Sequence, residues 1–378
     1  MWSRRHFTLS AAAAAFLPFA GRALAAAPEM GTTLTEAQRE AGKAFVARNM
    51  AVDIHAHPGR FFMVGSPPTP MMSVYKPSSF EKEAIDDIRS SGLSAVMFSA
   101  VSDHPLLGPT PDGPRATRAY RPGEAFADYR RQLALMKDIV RRHQLGRGRD
   151  SRDIRDAFTK HKPACVFSVE GGDFIEDRLD RVDKAARDGV RAITIIHYRV
   201  NQIGDNQTSP PVHNGLTPLG KDTVRRMNRA GIIVDLAHAS YDATKQAADV
   251  SDKPMMISHS NLKQAGRPDH VRLLTPEHAR IVTGSGGLIG AVPAGFGYLK
   301  TFADFIGAIV QLVDTVGVDH VAIGTDMDYT PASVVPRYAD WSLIPAALLA
   351  HGMHEAEVAK IIGGNFLRLL DATTGGKA

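Results

Sequence analysis

The chain has 378 residues, of which 44% are hydrophobic and 22% charged, a composition typical of a soluble globular protein rather than a disordered or fibrous one. Its formal net charge is +5, but three arginines lie in the first 25 residues, and without them 42 basic residues face 40 acidic ones, which excludes a polyanion-binding protein. The single cysteine, Cys165, excludes an intramolecular disulfide framework and a zinc site built from cysteines.

Residues 1–25 have the pattern of an export signal. The twin-arginine pair Arg4-Arg5 precedes an apolar run over 11–20, and small residues up to Ala25 suit a signal peptidase. The apolar run is too short to cross a membrane, which takes roughly 20 residues. We therefore predict export by the twin-arginine route, a periplasmic location and no stable membrane span.

From residue 51 onward, apolar runs rich in β-branched residues alternate with amphipathic stretches. The runs that predict strands cover 51–57, 93–101, 164–170, 190–197, 232–238, 255–260, 287–292 and 320–326. Helical patterns lie between them at 126–142, 178–188, 219–230, 241–250, 276–283 and 302–316. Eight such strands separated by helices favour an α/β fold of the (β/α)8 TIM barrel type, because strands covered on both faces are apolar throughout. A doubly wound open sheet is the alternative.

The remaining segments predict how this barrel is elaborated. Proline and glycine are dense within 60–125, which indicates long loops around the second strand, and a helical tail is predicted over 341–370. No repeat or linker divides the chain after the export signal, so residues 26–378 are predicted to form a single domain.

Titratable residues stand at the carboxyl ends of six predicted strands. Because the strands of a parallel barrel all end at one rim, where the active sites of this fold lie, these side chains are expected to meet. Imidazoles and carboxylates suit zinc or a similar divalent ion. Four histidines and one carboxylate would provide five ligands, more than one tetrahedral zinc takes, so we expect two ions that share the carboxylate. The strand-end residues are His55, His57, Glu170, His197, His238, His259 and Asp326.

Several short segments in fixed order carry a family resemblance that spans most of residues 50–372. On them the chain resembles the membrane (renal-type) dipeptidases, zinc peptidase family M19, which are amidohydrolase-like metal-dependent barrels. The segments are Val169-Glu170-Gly171-Gly172, Gly215-Leu216-Thr217-Pro218-Leu219-Gly220, Asp235-Leu236-Ala237-His238, Ser258-His259-Ser260-Asn261, His270-Val271-Arg272-Leu273-Leu274-Thr275, Gly324-Thr325-Asp326-Met327-Asp328 and Asn365-Phe366-Leu367-Arg368.

The resemblance implies a binuclear zinc site at the carboxyl rim of the barrel. His55, His57 and Glu170 would hold the first Zn²⁺, and the second would share Glu170 and take His238 and His259. A water or hydroxide bridging the two ions would attack the amide bond of a small dipeptide.

Three further residues receive roles through the resemblance. His197 would donate a hydrogen bond to the developing oxyanion, and Arg272 would bind the terminal carboxylate of the substrate. Asp326 would move the proton to the leaving amine and help to hold the free amino group of the dipeptide. The resemblance implies a dipeptidase of the membrane dipeptidase type, whose family members tolerate a D-residue at the carboxyl end, and the signal over 1–25 implies that it is exported.

The chain departs from the family pattern at three places, one of which is the loop region 60–125, which is weakly matched and of a kind that sets specificity. His57 stands where the family has an aspartate, which makes the site one charge less negative. The segment 289–294 lacks the aromatic residue expected in the substrate pocket. Another amide, ester or lactone hydrolase on the same barrel and a metal-free binding or scaffold protein are the alternatives, and pairing of two copies as a homodimer is left open.

Overall fold

The structure of the protein is a computed structural model that describes residues 34–73, 80–110, 113–294, 298–330 and 332–375. The predicted export signal over 1–25 lies outside these residues, and the single domain over 26–378 stays a prediction. Among the described residues, no helix has both the length and the apolar character needed to cross a membrane.

Eight parallel strands form the centre of the fold and occupy the eight predicted positions. Each strand pairs with the next one along the chain, so their order in the sheet follows their order in the sequence. The strands are β1 (Val52–Ala56), β2 (Ala95–Val101), β3 (Ala164–Glu170), β4 (Val190–Thr194), β5 (Ile233–Asp235), β6 (Met256–Ser260), β7 (Leu288–Ala291) and β8 (Val321–Ile323).

The sheet closes on itself between β8 and β1. Ala56 forms a parallel bridge with Met327, and the His57 N–H donates to the Met327 carbonyl at 2.9 Å. The Asp326 N–H donates to the His55 carbonyl, also at 2.9 Å. A doubly wound sheet reverses its strand order at a switch point and leaves two open edges. The predicted (β/α)8 barrel is therefore confirmed.

Helices lie between and beside the strands. Two of them begin with a threonine cap followed by proline: the Thr217 hydroxyl accepts from the Gly220 N–H at 3.0 Å, and Thr275 accepts from the His278 N–H at 3.2 Å. The helices are α1 (Glu36–Arg48), α2 (Glu81–Ser90), α3 (Glu124–Arg142), α4 (Ser151–Thr159), α5 (Asp180–Asp188), α6 (Pro218–Ala230), α7 (Tyr241–Val250), α8 (Pro276–Thr283), α9 (Phe302–Val316), α10 (Leu343–Ala350), α11 (Glu355–Ala359) and α12 (Asn365–Thr374).

The region 60–125 contains more regular structure than the predicted loops. Helix α2 packs Ile85 and Ile88 into the core, and a short antiparallel hairpin joins Leu107–Thr110 to Gly113–Ala116. The prediction of loops alone is wrong here because the prolines and glycines around these elements obscure their short periodic patterns. Likewise, the predicted helical tail over 341–370 is interrupted at Gly352, where the chain turns in a left-handed conformation, whereas α11 and α12 are joined by the π-helical stretch Lys360–Gly364.

Apolar side chains close the amino-terminal end of the barrel. Residues at the beginnings of the strands, such as Val52 and Ile233, form one buried cluster with Phe366 and Leu370 of α12. This packing leaves the carboxyl ends of the strands as the open end of the barrel, where the polar side chains lie.

Candidate metal centre

Imidazoles from four strands surround the carboxylate of Glu170, the last residue of β3, which is 1% exposed. The structure therefore brings all of the predicted ligands together at one rim. The Nε2 atoms lie within hydrogen-bonding range of a Glu170 oxygen, at 3.5 Å for His55, 3.5 Å for His57, 3.4 Å for His197, 3.2 Å for His238 and 3.5 Å for His259.

Four site residues lie just past the strands that were predicted to contain them: His57 directly follows the end of β1 at Ala56, and the other three lie in turns. His197, His238 and Asp326 each stand three residues beyond the last residue of β4, β5 and β8. His238 and Asp326 have φ angles of 66° and 50°, a left-handed conformation that costs free energy in residues other than glycine and is often found at functional sites. The predicted strands are too long here because pairing stops where the chain turns.

Hydrogen bonds on the far side of three imidazoles determine which nitrogen faces the centre. His57 donates from Nδ1 to the Ser99 carbonyl at 2.8 Å, and His259 Nδ1 lies 3.0 Å from the Ser258 hydroxyl. His55 Nδ1 lies 3.4 Å from the Ser99 hydroxyl and 3.3 Å from that of Ser258. All three rings thus present Nε2 to the centre, as metal-binding histidines do when an outer partner holds the other nitrogen.

Several buried atoms of the cluster lack the hydrogen bonds that burial requires. Among the described residues, no hydrogen-bond partner is present for Nε2 of His55 and His57, Oε2 of Glu170 or Oδ1 of Asp326. Such atoms are costly to bury unpaired, whereas a cation uses their lone pairs. Ligand atoms that hold one zinc ion tetrahedrally are about 3.3–3.4 Å apart. The separations around Glu170 match this value, so the residues fit zinc or a similar divalent ion.

Asp326 belongs to the same cluster. Its Oδ1 lies 3.2 Å from His57 Nε2, and its Oδ2 accepts a hydrogen bond from the Thr330 hydroxyl at 2.7 Å. The ligand atoms of His55, His57 and Asp326 lie within 4.8 Å of one another. Asp326 is therefore placed to contact a metal at the first predicted position as well as to exchange a proton there.

The charges of the centre favour the metal-binding protonation states of Glu170 and His238, but not that of His55. Burial by itself would raise the pKa of Glu170, but the surrounding imidazoles, His197 and His55 foremost, hold it well below its usual range. Burial and the charge of Arg272 lower the pKa of His238 well below its usual range. Although burial lowers the pKa of His55, Glu170 more than compensates and raises it to about 9. An ionised carboxylate and neutral imidazoles are the ligand forms, so a metal would displace the His55 proton.

Arg272 lies in the wall of the same cavity and is only 8% exposed. Its Nη1 donates to Gln207 Oε1 at 2.6 Å, and its Nη2 lies 3.2 Å from His259 Nε2. The predicted carboxylate-binding side chain is therefore beside the predicted second metal position. Gln207 was not predicted, because the segment between β4 and α6 that carries it contains no pattern that indicates this contact.

His197 contacts a second buried carboxylate that was not predicted. Its Nδ1 lies 2.6 Å from Asp103 Oδ1, and Asp103 is fully buried. Burial lowers the pKa of His197, but the charges of Asp103 and Glu170 outweigh this effect and raise it. Asp103 comes two residues after the end of β2 at Val101, so the rule that identified the other strand-end residues could have found it.

Aromatic side chains line the cavity in front of the cluster. Strand β7 provides none of them, as its sequence indicates. Tyr298 comes from the segment that follows β7, while Tyr198 follows β4 and Tyr329 follows β8. The pocket therefore has aromatic walls, although the segment 289–294 contributes no aromatic side chain to them.

Comparison with known proteins identifies the family. The profile of the membrane dipeptidases, peptidase family M19, matches residues 71–377. Dipeptidase tcpJ of Claviceps purpurea (strain 20.1) is 31% identical over 236 residues, which are 58% of this chain and 53% of that protein. Dipeptidase verJ of Clonostachys rogersoniana is 29% identical over 252 residues, which are 64% of each protein. The chain thus spans less than two thirds of the length of these relatives.

A solved structure has the same fold. The metallopeptidase of Rhodobacter sphaeroides, crystallised with a phosphinate mimic of the dipeptide L-Ala-D-Ala, superimposes with a TM-score of 0.72 at 20% identity, over 86% of this chain and 99% of that one. The family profile covers most of the chain and the barrel carries a buried cluster of metal-binding side chains. The protein belongs to the membrane dipeptidase family, peptidase family M19.

Proposed function

We propose that the protein is a zinc-dependent dipeptidase that hydrolyses the amide bond of small dipeptides, including those with a D-residue at the carboxyl end. The observation that carries the proposal is the position of Glu170, whose oxygens lie 3.2–3.5 Å from five imidazole nitrogens. The dipeptidase names of the curated relatives and the dipeptide mimic in the bacterial relative support the choice of substrate.

Two zinc ions would be held by the strand-end ligands. His55, His57 and Glu170 hold the first, and Glu170 is shared with the second, which His238 and His259 complete. When bound, zinc supplies a Lewis acid for the peptide carbonyl and lowers the pKa of water, which makes hydroxide available at neutral pH. The partnerless Nε2 atoms of His55 and His57 support this assignment.

The side chains of the cavity would bind the two charged ends of the substrate and move its proton. Arg272 binds the terminal carboxylate, because a guanidinium offers two parallel donors to it. Asp326 holds the free amino group and carries a proton to the leaving amine, since its Oδ1 faces the centre. His197 donates from Nε2 to the carbonyl oxygen as negative charge develops there.

The enclosure of the site would select short substrates. The cavity is lined by Tyr198, Tyr298 and Tyr329, and both Arg272 and Asp326 contribute to its walls. Two charged groups held at a fixed spacing favour a substrate with both termini close together, which is a dipeptide.

Export by the twin-arginine route, supported by Arg4-Arg5 and the apolar run behind them, would place this activity in the periplasm.

The proposal is tested with purified protein, a panel of L,L and L,D dipeptides, and quantified metals. Tripeptides, N-acetylated dipeptides, an ester and a lactone complete the panel. We expect hydrolysis of dipeptides with free termini and close to two zinc ions per chain. Hydrolysis of the ester or lactone alone would support the alternative hydrolase, and less than one divalent ion per chain would contradict a metalloenzyme.

The carboxylate-binding role is tested in the same panel with Arg272→Ala. A hydrogen-bonded charge contributes about 1.5–3 kcal/mol, so kcat/KM for dipeptides should fall about 10- to 100-fold while any ester hydrolysis persists. The exposed Arg225→Ala, which loses only a surface contact with Asp222, is the matched control and should retain full activity. Equal dipeptide turnover by Arg272→Ala would contradict the assigned role.

A further inference from the structure

The carboxylate of Asp103 is buried but does not cap the turn that follows it in the chain. It precedes the short 3-10 turn His104–Leu106, yet its side chain makes no capping hydrogen bond to that turn. Instead, Oδ1 contacts His197 Nδ1 at 2.6 Å and Oδ2 accepts from the Arg199 N–H at 3.1 Å. Since a fully buried carboxylate is costly unless it is paired, these two contacts are what keeps Asp103 inside the protein.

Both contacts hold the same short stretch of chain. His197 and Arg199 lie in the turn after β4, outside the paired strand, so the sheet does not fix their positions. The Asp103 carboxylate binds both the ring of His197 and the backbone N–H of Arg199, two residues later. The guanidinium of Arg199 in turn binds the buried Asp173, which ties this turn to the segment after β3 as well.

The contact between His197 and Asp103 determines which way the imidazole of His197 points. With Nδ1 committed to Asp103, the opposite nitrogen, Nε2, faces the cavity and lies 3.4 Å from Glu170 Oε1. A ring free to rotate about its side-chain bonds would lose this direction, and a donor misplaced by about 1 Å forfeits much of its effect on a reacting oxygen.

We propose that Asp103 is a positioning residue that holds His197 with Nε2 directed at the carbonyl oxygen of the substrate. The inference rests on the proposed function, in which His197 binds that oxygen as charge develops. Among the described residues, the hydrogen bonds of the Asp103 side chain go to His197 and to the Arg199 N–H and not to the predicted metal ligands, so its removal should affect turnover and not metal content.

The test compares Asp103→Ala, His197→Ala and the double variant in dipeptide hydrolysis. Asp103→Ala should lower kcat on the order of 100-fold with KM changed less than about threefold, because one transition-state donor is misplaced. In the His197→Ala background, adding Asp103→Ala should lower kcat further by less than about twofold, because the two residues act as one unit. An equal loss in both backgrounds, or normal turnover by Asp103→Ala, would overturn the proposal.

Two further variants separate positioning from general damage to the fold. Asp103→Asn keeps the shape but has one acceptor oxygen for two donors, so kcat should lie between that of the unsubstituted protein and that of Asp103→Ala. Asp87→Ala removes another buried carboxylate, which binds Arg337 away from the cavity, and should lower thermal stability without changing kcat. A matching kcat loss in Asp87→Ala would mean that Asp103 acts only on the fold.

A spectroscopic measurement makes the result independent of turnover. In ¹⁵N-histidine-labelled protein, the Nδ1 proton held by Asp103 should give a low-field resonance that His197→Ala removes and that identifies it. Asp103→Ala should abolish this resonance, while Asp87→Ala should retain it. Failure of the unsubstituted protein to hydrolyse any dipeptide would contradict the proposed function, whereas persistence of the resonance in Asp103→Ala would contradict the positioning role.

Discussion

The histidine that directly follows β1 stands where the family resemblance leads us to expect an aspartate. His57 is completely buried, and its Nδ1 is bound to the Ser99 carbonyl, which leaves Nε2 for the centre. An imidazole in place of an aspartate removes one negative charge but keeps a ligand atom beside Glu170 and Asp326. An ion at the proposed first metal position would therefore depend more on these two carboxylates for charge than it would with an acid at residue 57.

At the scale of this residue, we predict that His57→Asp retains zinc binding. The new carboxylate restores a negative charge next to a divalent ion, so zinc affinity should be equal or higher. Competition with a chromophoric chelator measures the affinity, and elemental analysis measures the number of ions. His57→Ala is the control and should lose the first ion. Loss of an ion from His57→Asp as well would mean that residue 57 does not face the metal.

At the scale of secondary-structure elements, neighbouring helices are joined through buried polar contacts as well as apolar ones. His278 of α8 lies 2.9 Å from the Thr244 hydroxyl of α7 and is 4% exposed. Burial, with a smaller effect of Arg272, lowers the pKa of His278 to about 4. The folded protein therefore keeps this imidazole neutral at a pH where the unfolded chain protonates it.

We predict that this pair contributes to unfolding in acid. Above pH 6.5 both states are neutral at His278, but between pH 6.5 and about 4 the unfolded state binds one more proton, so the free energy of unfolding falls as the pH falls. The loss amounts to about 3 kcal/mol at most. Denaturant unfolding across this range should show a flatter pH dependence in His278→Gln than in the unsubstituted protein.

An exposed histidine provides the control for that experiment. His351→Gln makes the same substitution at an exposed side chain at the end of α10, outside the α7–α8 contact, and any change that it causes is subtracted from that of His278→Gln. An identical pH dependence in His278→Gln and the unsubstituted protein would show that the α7–α8 contact does not carry the effect.

At the scale of the whole molecule, the candidate ligands connect strands that are far apart in the sequence. The ligand atoms of His55, Glu170 and His259, from β1, β3 and β6, lie within 4.8 Å of one another. A metal bound there would link these strands in the folded state alone. The apolar cluster that closes the other end of the barrel includes α12 and does not involve these ligands.

Metal binding should therefore stabilise a barrel that can fold without it. We predict that chelation lowers Tm by several degrees without abolishing cooperative unfolding, and that added zinc restores it. Each site contributes about 2.7 kcal/mol when free zinc exceeds its Kd a hundredfold. Calorimetry of the unsubstituted protein and of His259→Ala measures this, and the variant should respond less to zinc. A Tm that does not respond to chelator or zinc would contradict the metal site.

Much of this architecture could be predicted because it depends on local patterns. Apolar runs identify all eight strands, and the same runs locate Glu170 and His259 at strand ends. The predictions fail where contacts in space decide. Helix α2 is held by core packing of Ile85 and Ile88 rather than by a strong local signal, and Tyr298 lines the cavity although it lies outside β7. The export signal stays a prediction.

The sequence by itself determined the barrel, its strand order and the identity of the residues at its carboxyl rim, because hydrophobic periodicity and strand ends are properties of neighbouring residues along the chain. Only the tertiary structure decided which nitrogen each imidazole presents, that Asp103 holds His197, and that Gln207 holds Arg272. These contacts join residues 65 to 94 positions apart. Their formation depends on the closure of the sheet and on where the chain turns after each strand, and no local pattern encodes either.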